Sequence, residues 1–120
     1  MTELQGTSMK VVETFFSIEV DEMERAVAFY VDALGATVSY ATPRWTSLHA
    51  AHVRIGLFAN PGHARGIIGL HFVVDDLDEA CRAVERAGGT IATPAREVAP
   101  SVVVADATDT EGNTFAMRQQ

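Results

Sequence analysis

The 120-residue chain has one lysine, one cysteine, one tryptophan and four prolines, and each scarcity excludes something. A single cysteine makes no internal disulfide, so any core must hold without covalent staples. That cysteine, Cys81, falls on the apolar stripe of a helix, where a buried thiol is the expected role rather than a nucleophile. Nine basic residues against sixteen acidic ones give a net charge of −7. Nucleic acid is therefore excluded as a partner, because a phosphate-binding face needs clustered Lys and Arg. The acidic balance suits solubility. No stretch approaches the ~20 consecutive apolar residues that span a bilayer, and no basic region followed by an apolar run opens the chain. The expectation is a cytoplasmic protein with no membrane partner.

What is present is a repeat. Residues 24–35 read as a helix: Met23, Ala26, Val27, Tyr30, Val31 and Leu34 recur on one face of a 3.6-residue period. Asp21, with Glu24 three residues on, has the form of a capping box, worth roughly 1 kcal/mol. Gly35 supplies a left-handed stop. A shift of 54 residues lays a second copy over the first, with Val20 on Val74, Asp21 on Asp75, Ala26 on Ala80, Ala33 on Ala87 and Gly35 on Gly89. An apolar strand precedes each helix, so the duplication extends beyond the helices.

In chain order, residues 1–9 carry no periodicity and are expected to fray. Strands are expected at 11–20, 36–40, 45–49 and 53–58, with a break at Thr42-Pro43, and the first module is βαβββ. The turn-rich stretch 60–66 is a linker. The second module spans about 67–118, with strands at 67–74, 101–105 and 114–118, one beginning at 90–92, and a loop bracketed by Pro94 and Pro100. The fold class is α+β, one domain of two βαβββ modules (about 10–59 and 67–118) whose curved sheets flank a cleft, with helices on the outer faces.

Alternation places Phe16, Ile18, Val20, Val53, Ile55, Leu57, Leu70, Phe72 and Val74 under the helices. Phe15, Ser17, Glu19, Arg54, Gly56, Phe58, Gly69, His71 and Val73 then look into the cleft. Trp45, Ser47 and His49 join them if the turn after His49 has an even number of residues; an odd turn flips that strand. Trp45 either stacks on a planar ligand or fills the core. Arg54 either pairs with a ligand carboxylate or phenolate or bridges Glu19 or Asp32. His71 hydrogen-bonds a ligand, acts as a general base, or is a bonded histidine with no chemistry. His52 and His63 are read as solvated surface.

A capped helix reading Glu-Arg-Ala-Val-Ala-Phe-Tyr-x-Asp-x-Leu-Gly, duplicated and closed by Thr108-Asp109-Thr110-Glu111-Gly112-Asn113, resembles the vicinal oxygen chelate superfamily. That group includes glyoxalase I, extradiol dioxygenases, fosfomycin-resistance transferases and bleomycin-resistance binding proteins. The resemblance covers about residues 11–118 and implies paired βαβββ modules forming a cleft, often in a dimer or a swapped arrangement. It also implies a divalent metal held by His, Gln or Glu on the first and last strands of the modules. The matching positions here are Phe15, Gly69, Ala116 and Gly56, none of which has a side-chain donor, whereas a catalytic ion normally takes at least three protein ligands.

The expectation is thus a metal-free and cofactor-free small-molecule-binding protein, a homodimer that sequesters a planar or amphipathic ligand as the drug-sequestering relatives do. Its ligand residues would be Phe15, Ser17, Trp45, Ser47, His49, Arg54, Phe58 and His71. The alternative is a lyase or dioxygenase of the same superfamily. It would have displaced metal ligands, for which His49, His71 and Glu19 have suitable donors, or use His71 as general base. A third reading is an interaction module whose cleft is filled by side chains.

Overall fold

The structure is a computed structural model and describes residues 8–120; the expectation of fraying for residues 1–7 lies outside them. The first module runs β1 (Phe16–Val20), α1 (Met23–Leu34), β2 (Thr37–Ala41), β3 (Trp45–Ala50) and β4 (Val53–Ala59). The second repeats it as β5 (Gly66–Val74), α2 (Leu77–Arg86), β6 (Thr90–Ala99), β7 (Val102–Thr108) and β8 (Asn113–Gln119). Each module closes a four-stranded mixed sheet, in the orders β1-β4-β3-β2 and β5-β8-β7-β6. Within each, the first strand lies parallel to the last and the other pairs are antiparallel. The α+β architecture of two similar modules follows the repeat in the sequence.

The sheet faces divide as the alternation requires. Ile18, Val20, Ile55 and Leu57 are buried beneath α1 with Leu48, and Leu70 is buried in the second module with Ala105, Ala107, Phe115 and Met117. At the strand ends, burial fails: Phe16 is 43% exposed and Val53 39%. Phe29 and Tyr30 of α1 lie edge-on to each other, and both approach Phe115 of β8, with ring centroids 6.4 Å away. The helix-side faces of both sheets therefore close a single core. Each sheet's opposite face stays open, with Ser17, Glu19, Gly69, His71 and Val73 all exposed.

α1 ends as its sequence requires, at Gly35 with φ 67°, whose N–H bonds the carbonyl of Val31. Its start differs from expectation. No side chain of its own caps it, because Asp21 is spent elsewhere: its carboxylate takes the Gly62 N–H at 2.9 Å and the guanidinium of Arg65. The start of α1 is held instead by Glu111 of the second module, which accepts the N–H groups of Asp21 and Glu22, each at 2.9 Å. In α2, Asp76 caps in the ordinary way by accepting the Glu79 N–H.

Two further expectations are corrected. The stretch between Pro94 and Pro100 is strand rather than loop: β6 runs through Pro94, with register shifts on both sides of Thr93. It is an edge strand, where a missing N–H breaks no ladder bond. His63, read as solvated, is buried, with Nδ1 3.2 Å from a carboxylate oxygen of Asp21. The linker folds back so that Arg65 reaches both the Glu111 carbonyl and the Asp21 carboxylate that His63 approaches.

Candidate ligand-binding site

The open face of the first sheet gathers most of the residues the sequence singles out. The β3–β4 connection has two residues, Ala51 and His52, with Ala51 at φ 54°, so the turn is even. Pairing then sets Trp45 opposite Phe58, Ser47 opposite Gly56 and His49 opposite Arg54, all on one face. Parallel pairing of β1 adds Ser17 beside Gly56 and Glu19 beside Phe58.

Glycine at position 56 makes this arrangement possible. The six-membered ring of the Trp45 indole packs against Gly56, so close that a Cβ there would come within 2.1 Å of it. The indole Nε1 donates to Ser47 Oγ at 2.9 Å. Phe15 stands edge-on to Trp45 at 6.0 Å and Phe58 lies tilted at 6.5 Å. The guanidinium of Arg54 sits 4.0 Å over the Phe15 ring, donates to Glu13 at 2.8 Å and reaches Ser47 Oγ at 3.4 Å. Arg54 thus pairs with Glu13, and not with Glu19 or Asp32. Trp45 is half-buried on the open face and outside the buried core.

Sequence reasoning missed two members of this face. Tyr40 pairs with Ser47 and is 60% exposed on the same side, brought there by an irregularity at Ser39 that shifts the register of β2. Glu13 precedes β1 and is joined to this face through Arg54. Among the described residues the Glu19 carboxylate accepts only the Asn60 side-chain amide, at 2.8 Å.

His71 is not with them. It lies on the open face of the second sheet, exposed, with Ala116 as its neighbour on β8. Asp106 on β7 pairs with the same Ala116 from the other side. His71, Asp106, Thr93 and Thr114 line a hollow of about 310 Å³ together with Gly69 and Ala116. Asp106 also takes Arg96 Nη2 at 3.0 Å.

The positions at which a metal is implied by the resemblance do not fit a divalent ion. Phe15 presents a ring already covered by Arg54, and Gly56 lies beneath Trp45. Gly69 sits at φ 73° in a β5 irregularity, and Ala116 offers a methyl group. Among the described residues, no three of His, Cys, Asp and Glu come together in a metal-binding group.

Between the modules lies a knot of buried polar groups rather than a site. Asp109 accepts the Glu111 and Asn113 N–H groups on one oxygen, and the Tyr30 hydroxyl at 2.5 Å and the Asn113 amide on the other. Asn113 also donates to the Glu19 carbonyl. Burial first, and then the Asp109 carboxylate, push the Tyr30 phenol well above its ordinary range.

Paired βαβββ modules, each with one helix on its sheet, define a glyoxalase-type protein. The description Glyoxalase/Bleomycin resistance protein/Dioxygenase superfamily matches residues 14–117, and the chain belongs to that family. Its fold is shared with a superfamily member from Sphaerobacter thermophilus DSM 20745 (20% identity, TM-score 0.75, covering 91% of this chain and 98% of that one). It is shared too with TioX from Micromonospora sp. ML1 (18%, 0.69, 89% and 98%). A third match is the fosfomycin resistance protein FosX from Listeria monocytogenes, in a mutant form complexed with Mn(II) and 1S,2S-dihydroxypropylphosphonic acid (15%, 0.78, 92% and 90%). No curated protein sequence matches the chain. No helix among the described residues is long and apolar enough to cross a membrane.

Proposed function

We propose that the protein binds a planar or amphipathic small molecule on the open face of the first sheet, without a metal ion, and so sequesters it. The observation that carries this reading is the Trp45 indole packed against Gly56, with Phe15, Phe58 and Tyr40 around it on an unfilled face. Ser17, Ser47, His49 and Arg54 supply polar groups at its margin. A drug as the ligand draws support from the family description, which names bleomycin resistance proteins.

The reading includes a homodimer, with the whole chain acting as one domain. Its support is that β1 and β5 are edge strands carrying exposed Phe16, Ile67 and Val73, with exposed Phe15 just ahead of β1, a liability that a second copy would cover. Such a copy could bring His71 to the aromatic face, completing the residue set. A second reading, cofactor-free proton transfer with His71 as base, draws support from the placement of His71 and Asp106 on either side of Ala116.

The test is a thermal-shift screen of natural products and metabolites against the protein and its Trp45→Ala variant. A ligand at 100 times its dissociation constant adds about 2.7 kcal/mol of stability. The expected result is stabilisation that is lost in the variant; silence across a broad panel overturns the reading.

A further inference from the structure

We infer that the aromatic face of the first sheet selects a planar cation over a neutral or anionic ligand of the same shape. This rests on the small-molecule reading proposed above and names the ligand class it implies.

Arg54 is the one guanidinium placed on this face by strand pairing. Its charge is already met by Glu13 at 2.8 Å and its flat surface by the Phe15 ring at 4.0 Å. An incoming carboxylate or phenolate would have to displace both. The other charged group set here by pairing is Glu19, next to Phe58 on β4. Among the described residues it receives a neutral amide hydrogen bond from Asn60 and has no cationic partner. His49 adds an imidazole beside Arg54. With Glu13 and Arg54 cancelling, Glu19 leaves the face negative on a chain of net charge −7.

The rings point the same way. The face of an aromatic ring attracts a cation, and Trp does so most strongly. Arg54 over Phe15 is that interaction, made within the chain. Trp45, Tyr40 and Phe58 offer further rings beside it. A flat cation stacked on Trp45 would gain ring attraction and the field of Glu19 together. A flat anion would meet both as repulsion.

Calorimetric titration with three acridines of one shape tests this: proflavine (cationic), acridone (neutral) and acridine carboxylate (anionic). Proflavine is expected to bind roughly tenfold more tightly than acridone, with the carboxylate weakest. Glu19→Gln should cut proflavine affinity roughly threefold and leave acridone unchanged. Glu85→Gln, an exposed carboxylate on α2, should change neither. Acridone or the carboxylate binding as tightly as proflavine overturns the charge selection while the small-molecule reading stands. Equal losses in the Glu19 and Glu85 variants also overturn it, since the dye is then attracted by net charge alone. No binding by any probe, or binding indifferent to Trp45→Ala, defeats both.

Discussion

Glu111 grips Arg25 across 86 positions of sequence, carboxylate to guanidinium Nε at 2.8 Å, and the same carboxylate holds the two backbone N–H groups that lead into α1. Thr110 donates to it as well. The Glu111 side chain is fully buried, whereas Arg25 is 44% exposed. The value of this contact therefore lies more in the satisfied backbone and buried carboxylate than in the ion pair, which water screens. Glu111→Ala should cost about 2–3 kcal/mol, read as a lower urea midpoint. A loss no larger than that of an ordinary surface substitution would contradict the assigned role.

Acid should loosen this junction first. Burial pulls the Glu111 carboxyl upward, but Arg25, the Glu22 N–H, Thr110 and the Asp21 N–H outweigh it and hold it below its ordinary value of 4.5. Arg65 and the Gly62 N–H hold Asp21 below 3.8 in the same way. Depressed carboxyls contribute stability that is complete above their unfolded values and is lost as pH falls through the folded ones. Stability should accordingly change little for these groups above about pH 5 and decline below it. In Glu111→Gln the decline should be shallower; parallel pH profiles for the two proteins would contradict this.

Tyr30 carries a related prediction. Its hydroxyl donates to Asp109 inside the core, and Tyr30→Phe would strip that donor from a buried carboxylate. The expected loss is about 1–3 kcal/mol, with ring packing on Phe29 and Phe115 retained. Because the phenol is raised in the folded state, its stabilisation is present below the unfolded tyrosine value, about 10, and fades as pH rises past the folded one. The difference between wild type and variant should shrink in strong alkali, measured by urea melts at several pH values.

Gly56→Ala provides a mild perturbation of the site. The added methyl cannot coexist with the indole where it lies, so Trp45 must swing outward while the strand stays paired. As Trp45 is the single tryptophan, its emission should shift to the red without loss of the cooperative melt. Ligand affinity should fall by about 1–3 kcal/mol, the range for losing an aromatic anchor. Unchanged emission would show that the indole does not rest there.

Much of the fold follows from local sequence pattern. The 3.6-residue stripe on α1 and the glycine that ends it describe a local helix, and local rules suffice there. Alternation in β4 fixed which side Arg54 and Phe58 face, and only the parity of the turn at Ala51 and His52 was left to the structure. What escaped depends on contacts far apart in sequence. Nothing near Asp21 tells that Arg65 will claim its carboxylate or that Glu111 will replace it at the helix start. His63, buried beside that same Asp21, likewise meets a residue distant in sequence. Pro94 and Pro100 suggest a loop because a sequence does not reveal which strand lies at an edge. Tyr40 was missed because a strand irregularity reverses the parity by which faces are counted.

The most direct test of ligand binding on the first sheet's open face is a map of backbone amide shifts by NMR as a bound compound is titrated in. The largest changes should fall on Phe15, Ser17, Ser47, Gly56 and Phe58, with saturation matching the calorimetric affinity. Changes confined to the helices, or to the turn around Glu111, would place the ligand elsewhere and contradict the account.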